Sequence, residues 1–249
     1  LTKVGRFDAN INVLTELERY PVDKQVTKSE AEALLQYSGW GGLLDLMASG
    51  ARQETLQTLM PIQALQEAQE SALTAFYTPD DVVIELWDCL LKKGYTGGRV
   101  MEPSAGTGIF LNHRPHTLDD RQHFTAVEMD TVAARILSLT NPKVTVLGNE
   151  LQNAGLGDSK FDLVIGNVPF GEIKIADPDT HKSLSIHNYF LKKSLRQCRD
   201  NGIVAIVTST WTMDSKATGF REDIASMADL MGVIRMPGNV FSATQTNTM

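Results

Sequence analysis

The chain has 249 residues, 42% of them hydrophobic and 21% charged. That composition excludes a disordered or fibrous polypeptide and suffices for one large α/β domain, or one domain with a helical appendage. The formal net charge is −7, which argues against tight DNA binding by this chain alone, because such binders carry basic surfaces, but not against DNA as a substrate. No apolar run approaches the ~20 residues needed to cross a bilayer, and Leu1-Thr2-Lys3-Val4-Gly5-Arg6 lacks the apolar stretch of a signal peptide. Cys89 and Cys198 lie far apart in the chain and read as buried free thiols of a reducing cytoplasm, not as a disulfide or zinc pair.

Residues 1–75 read as an all-helical region. Thr27-Lys28-Ser29-Glu30 has the spacing of a capping box ahead of Ala31, Leu34 and Leu35. Ser38-Gly39-Trp40-Gly41-Gly42 ends that helix, and further helices are expected over Arg52–Met60 and Ile62–Leu73, parted by Pro61. From Phe76 the pattern changes to strands alternating with helices, the signature of βαβ units and a parallel sheet. Thr78-Pro79-Asp80-Asp81 starts a helix with a Thr cap and acids at the positive end of its dipole. Val83, Leu86, Trp87 and Leu90 form its apolar stripe, and Gly94 stops it. Strands are predicted at Arg99–Met101, Thr125–Glu128, Val144–Leu147, Phe161–Ile165, Ile203–Thr208 and Met231–Met236, with helices at Thr131–Leu139 and Asn188–Cys198. Gly171–Ile186 reads as a long, irregular, mobile loop.

Three segments carry chemistry. Glu102-Pro103-Ser104-Ala105-Gly106-Thr107-Gly108-Ile109-Phe110 follows a strand directly, and glycines at a strand-to-helix turn let a ligand approach the backbone. A tight turn and a nicotinamide-binding turn compete with a methyl-donor site here. Leu111 replaces the third glycine of the dinucleotide motif, and Glu102 is placed to bond an ammonium group. Glu128 ends the next strand, where a carboxylate accepts both ribose hydroxyls of an adenosine moiety, in either cofactor. Asn167-Val168-Pro169-Phe170 runs off the fourth strand, so in a doubly wound sheet it enters the same crevice as the glycine turn.

Phe76-Tyr77-Thr78-Pro79, Glu102–Phe110, Glu128 and Asn167-Val168-Pro169-Phe170 match, in order, the motifs of amino-methylating DNA methyltransferases. The first motif lies on the N-terminal side of Gly-x-Gly, as in the gamma group of N6-adenine enzymes, which the chain resembles from roughly Phe76 to Phe241. On Tyr37-Ser38-Gly39-Trp40-Gly41-Gly42, Ile186-His187-Asn188-Tyr189-Phe190 and Arg235-Met236-Pro237 it is similar to the methyltransferase part of large phage- and plasmid-borne helicase–methyltransferase polypeptides.

The resemblance implies an α/β, Rossmann-like fold of the S-adenosylmethionine-dependent methyltransferases: a mostly parallel sheet with helices on both faces. A helical region over residues 1–75 precedes a catalytic domain over residues 76–249 that stops short of the usual final hairpin strand. It implies S-adenosylmethionine as cofactor, no metal, a cytoplasmic location, no membrane, and DNA as partner with the target adenine flipped out. It also implies further domains of the same polypeptide for target recognition or helicase action. Tyr77, Thr78 and Pro79 would pack on the methionine end of the cofactor. Glu102, Pro103, Ser104, Ala105, Gly106, Thr107, Gly108 and Phe110 would hold its amino-acid part. Glu128 would take its ribose, Met129 its adenine ring, and Asn149 and Glu150 would contact that ring.

The N6 lone pair of adenine is delocalised into the ring, so the side-chain oxygen of Asn167 and the carbonyl of Val168 are assigned to accept the two N6 hydrogens and free it. Phe170 is assigned to stack on the flipped base. Val168 stands where the family usually has a second proline; the role needs only a carbonyl, and Pro169 keeps Val168 extended. Two other readings compete: a protein glutamine-N5 methyltransferase, whose amide substrate needs the same two acceptors, and a non-catalytic S-adenosylmethionine-binding module of a larger protein. His113, His116 and His123 read as surface residues, while His187 is within possible reach of the crevice.

Overall fold

The computed structural model describes residues 1–21, 24–72, 78–176, 183–237 and 240–241. Its helices are α1 (Lys3–Leu17), α2 (Lys28–Leu34), α3 (Leu44–Met47), α4 (Gly50–Leu59), α5 (Ile62–Ser71), α6 (Asp80–Lys92), α7 (Ile109–Asn112), α8 (Thr131–Thr140), α9 (Ile186–Gln197), α10 (Trp211–Asp214) and α11 (Gly219–Ala225). Its strands are β1 (Gly98–Glu102), β2 (Gln122–Val127), β3 (Thr145–Leu147), β4 (Phe161–Asn167), β5 (Lys174–Ala176), β6 (Ser183–Ser185) and β7 (Cys198–Val207).

Five strands form one parallel sheet in the order β3-β2-β1-β4-β7. The chain winds outward from β1 to β3, then crosses to β4 on the other side of β1. The carboxyl ends of β1 and β4 therefore flank the switch point, where the connecting loops part and leave a crevice. Alternation along each strand sends successive side chains to opposite faces. Val100, Phe124, Leu163 and Ile165 pack against Val83, Trp87 and Leu90 of α6 and against Phe110 and Leu111. On the other face, Val127 packs with Ile186, Tyr189 and Phe190 of α9. Helices thus cover both faces, which is why these strands read as continuous apolar runs.

Helix α8 is apolar on two sides. Leu137 faces the sheet with Ala105 and Ala126, while Val132, Ala133, Ile136 and Leu139 join a cluster with Phe7, Leu17, Leu34, Tyr37, Trp40 and Leu56. The N-terminal helices therefore form a further layer stacked on α8. Arg135 on α8 also donates to the carbonyls of Leu17 and Tyr20. Arg6 and Asn10 of α1 donate to the carbonyls of Gly41 and Gly39, fixing the glycine-rich turn around Trp40. Burying a side chain of Trp40's kind contributes about 1.5–3 kcal/mol, and Trp40 is fully buried. It packs in this layer, with Phe7 and Tyr37 edge-on to its ring.

Local signals hold at several places. Thr27 and Glu30 form the reciprocal capping box. Asp130 caps α8 through the amides of Val132 and Ala133. Elsewhere the structure corrects the sequence reading. Thr78 does not cap α6: Pro79 holds the cap position with no side-chain bond, and Thr78 is buried. The expected loop at Gly171–Ile186 contains β5 and β6, an antiparallel pair. Met231–Met236 is not a strand; it has no regular structure, and Met231, Val233 and Ile234 are exposed. Its β-branched composition suits a strand, but a strand needs a neighbour to satisfy its backbone, and among the described residues it pairs with none. Cys89 is exposed and not buried, because it lies off the apolar stripe of α6. Among the described residues no helix is long and apolar enough to cross a membrane.

Candidate active site

The Glu102–Gly108 turn leaves the carboxyl end of β1 and enters α7. Gly106 and Gly108 have φ of 55° and 85°, left-handed values that suit a residue without Cβ. A Cβ on Gly108 would lie 2.5 Å from Cδ1 of Leu137, so the turn is pressed against α8. The Trp87 indole donates to the carbonyl of Phe110 at 2.8 Å and pins the short helix to α6. The Phe110 ring lies in the core with Val83 and Val100; its amide and that of Leu111 face Glu102.

Three carboxylates converge behind this turn. Glu102 is 1% exposed, and neither of its oxygens completes a hydrogen bond among the described residues. Burial, and then the charge of Glu128, push its pKa well above the usual range, against the pull of the Phe110 and Leu111 amides. Glu128, at the end of β2, accepts from the Gly106 amide at 2.6 Å and the Asp130 amide at 2.8 Å. Burial, with the charge of Asp130 second, raises its pKa to about 7. Burial also raises Asp130, opposed first by the Tyr37 hydroxyl, which donates to Oδ2 at 2.8 Å. Among the described residues, no Lys or Arg is among the groups that shift these three acids.

A buried cluster of acids is costly unless a cation offsets it. S-adenosylmethionine, whose ammonium and sulfonium groups are positive, fits that donor set. Glu102 would face its ammonium group, Glu128 retains lone pairs for ribose hydroxyls, and the two glycines leave room for close backbone approach. S-adenosylmethionine is the cofactor expected of this site.

Asn167 ends β4 beside this pocket. Gly166 sits so close to β1 that a Cβ there would meet Pro103 Cδ at 3.3 Å and Glu102 Cγ at 3.5 Å. The Val168 amide donates to the Val207 carbonyl at 3.0 Å, and its side chain packs with Val127, Leu151, Tyr189 and Phe190. A proline at 168 could not make that bond. Pro169 is half-buried, and the half-buried Phe170 lies edge-on to Phe241 with ring centroids 6.4 Å apart.

The other expected residues are scattered more widely. Thr78 is buried, Pro79 half-buried, and Tyr77 lies outside the described residues. Pro103 and Ala105 are buried, while Ser104 and Thr107 are half-buried on the turn. Met129 is half-buried. Asn149 and Glu150 are exposed after β3, and Glu150 accepts from the Asn153 side chain at 2.8 Å. His187 is buried on α9, 3.1 Å from the Ser185 hydroxyl, and burial lowers its pKa. Among the described residues no group of His, Cys, Asp and Glu could hold a metal. The sequence reading missed Asp130 and Tyr37. Asp130 was legible as the cap of α8; Tyr37, 93 residues away, was not.

"Defense against restriction protein B" of Escherichia phage P1 is 27% identical over 184 residues, 72% of this chain, and the chain spans 8% of that relative's length. A modification subunit of a putative type I restriction enzyme from Vibrio vulnificus superposes with a TM-score of 0.49 at 18% identity, over 78% of this chain and 46% of that one. The type I restriction-modification methyltransferase subunit from Streptococcus thermophilus gives 0.45 at 15% identity, over 80% and 54%. The family model of the Eco57I restriction-modification methylase matches residues 109–241, more than half of the chain, from α7 through β4 to Phe241. The chain belongs to the Eco57I restriction-modification methylase family.

Proposed function

We propose that this chain transfers a methyl group from S-adenosylmethionine to the N6 amine of adenine in DNA. The observation that supports the reading is the close approach of Gly166, at the end of β4, to Glu102 and Pro103 at the start of the glycine turn, from which Asn167-Val168-Pro169-Phe170 continues. Bound S-adenosylmethionine supplies an electrophilic methyl group. Asn167 and the Val168 carbonyl accept the two N6 hydrogens of a flipped adenine, so that nitrogen's lone pair is released from the ring. Holding the amine in that orientation contributes much of the rate. Glu102 and Ser104–Gly108 hold the amino-acid end of the cofactor, Glu128 its ribose, and Thr78, Pro79, Met129, Asn149 and Glu150 line its outer contacts. Phe170, edge-on to Phe241 here, turns its ring to stack on the base.

In this reading residues 1–75 buttress a catalytic domain over residues 76–249, in a cytoplasmic protein. Further domains of the same polypeptide supply target recognition, and a helicase is among the candidates. The net charge of −7 favours that division of labour, because a phosphate grip calls for basic surface. The same charge supports the second reading, a module that binds the cofactor and turns over weakly on its own. Incubation with unmethylated DNA and labelled S-adenosylmethionine, followed by mass spectrometry of nucleosides, tests the proposal. N6-methyladenine is expected; label on protein glutamine, or on no acceptor, refutes it.

A further inference from the structure

We propose that Tyr37, in the N-terminal helical layer, is a positioning residue for cofactor binding, acting through Asp130 on Glu128. The inference rests on the reading of Glu128 as the ribose acceptor and adds a residue from outside the sheet. The chain of contacts is continuous. The Tyr37 hydroxyl donates to Asp130 Oδ2 at 2.8 Å, and the other carboxylate oxygen of Asp130 caps α8 through Val132 and Ala133 at 2.9 and 3.2 Å. The Asp130 amide donates to Glu128 Oε1 at 2.8 Å, and Gly106 donates to Glu128 Oε2 at 2.6 Å. Every group in the relay except Gly106 is buried.

Each link has a physical purpose. Asp130 is buried next to Glu128 and faces Glu67 of α5, and both acids oppose its charge. Two cap amides and the Tyr37 hydroxyl hold its carboxylate in place and oppose the rise in pKa that burial causes. Its position fixes its own amide, and that amide holds Glu128 in one rotamer, so less ordering is needed when a ribose arrives. Tyr37 itself is held firmly. Its ring lies edge-on to Trp40, and the next residue, Ser38, donates its amide to Asn10 Oδ1 at 2.9 Å. The helical layer thus fixes the hydroxyl from the side opposite the sheet, across a sequence separation of 93 residues.

The test is a double-mutant cycle on the full chain, read by calorimetry with S-adenosylmethionine. Tyr37→Phe keeps the ring and its packing, and Asp130→Asn keeps an oxygen for the α8 cap while removing the acceptor for Tyr37. Each is expected to weaken binding about five- to tenfold, the scale of one typical net hydrogen bond. In a Glu128→Gln background the Tyr37→Phe effect is expected to vanish, whereas a general loss of structure would persist. In turnover assays Tyr37→Phe raises the KM for S-adenosylmethionine and leaves kcat unchanged. Unaltered affinity in both single variants, or a Tyr37→Phe effect undiminished by Glu128→Gln, overturns the proposal while the cofactor site stands. If the wild-type chain binds no S-adenosylmethionine, the site reading falls and this inference with it.

Discussion

The amide of Gly106 donates to the carboxylate of Glu128 at 2.6 Å, so the turn after β1 closes directly on the acid at the end of β2. With Glu102 orphaned on one side and Asp130 on the other, Glu128 titrates near 7, raised mainly by burial. An acid whose pKa is raised on folding holds its proton longer in the native state. Its contribution to stability is therefore intact below the ordinary carboxylate range and is lost as pH rises through about 7. Stability of the free protein should fall between about pH 5 and about pH 8 more steeply than that of Glu128→Gln. A cationic cofactor needs the ionised form, so its binding should release protons below about pH 7, seen as a dependence of calorimetric heat on buffer ionisation. Equal pH slopes for the two proteins refute the assignment.

Gly108→Ala combines a left-handed φ of 85° with a Cβ 2.5 Å from Leu137 Cδ1. The change should cost about 1–3 kcal/mol in denaturant unfolding. It should also weaken S-adenosylmethionine binding, because the turn must shift where the proposed site holds the cofactor's amino-acid end. Full retention of both properties would show that the turn has slack the geometry does not suggest.

Asn167→Ala separates binding from chemistry. Asn167 lies beside the acidic pocket but accepts no share of the assigned cofactor contacts. Calorimetry should find S-adenosylmethionine affinity within about twofold of wild type. Methyl transfer should fall by about 100-fold or more, the scale of removing one positioned group from a transition state. Normal methylation by this variant refutes the role given to Asn167.

Val168→Pro installs the second proline of the motif that Asn167-Val168-Pro169-Phe170 resembles, yet it should be harmful. The Val168 amide is bonded to Val207 and its side chain fills a cluster under α9. Losing that bond and repacking the cluster should cost about 1–3 kcal/mol. A neutral effect on the unfolding midpoint would mean the ladder bond to β7 is dispensable.

Asp162→Ala acts at the far end of the same strands. Asp162 accepts from the Arg99 amide at 2.7 Å and from the Arg199 guanidinium, and these bonds outweigh burial and keep its pKa below the usual value. The variant should lose about 1–3 kcal/mol of stability while cofactor affinity stays unchanged. A large loss of affinity would show that the two ends of the sheet are coupled.

Much of the sheet was legible because parallel strands covered on both faces are continuous apolar runs. β1, β2, β3, β4 and β7 all lie where the alternation of strand and helix predicts them. The sequence also named Glu102, Glu128 and Asn167 as companions, since the winding order alone brings the ends of β1, β2 and β4 together. It misjudged Thr78 because a residue preceding proline suits a cap in type but is here turned into the interior. It misjudged Met231–Met236 because β-branched composition states a capacity for pairing, and pairing needs a neighbour.

What the sequence determined by itself was local: the capping box at Thr27, the glycine turn and the order of the motifs. These depend on spacings within a few residues, where backbone geometry leaves few choices. Only the tertiary structure decided that Tyr37 touches Asp130, that Glu102 is buried beside Glu128, and that Phe170 meets Phe241. Those relations join segments tens of residues apart, and no local periodicity records them. They arise from how the elements pack against one another, α8 between the sheet and the helical layer among them, and from which side chains that packing shuts away from water.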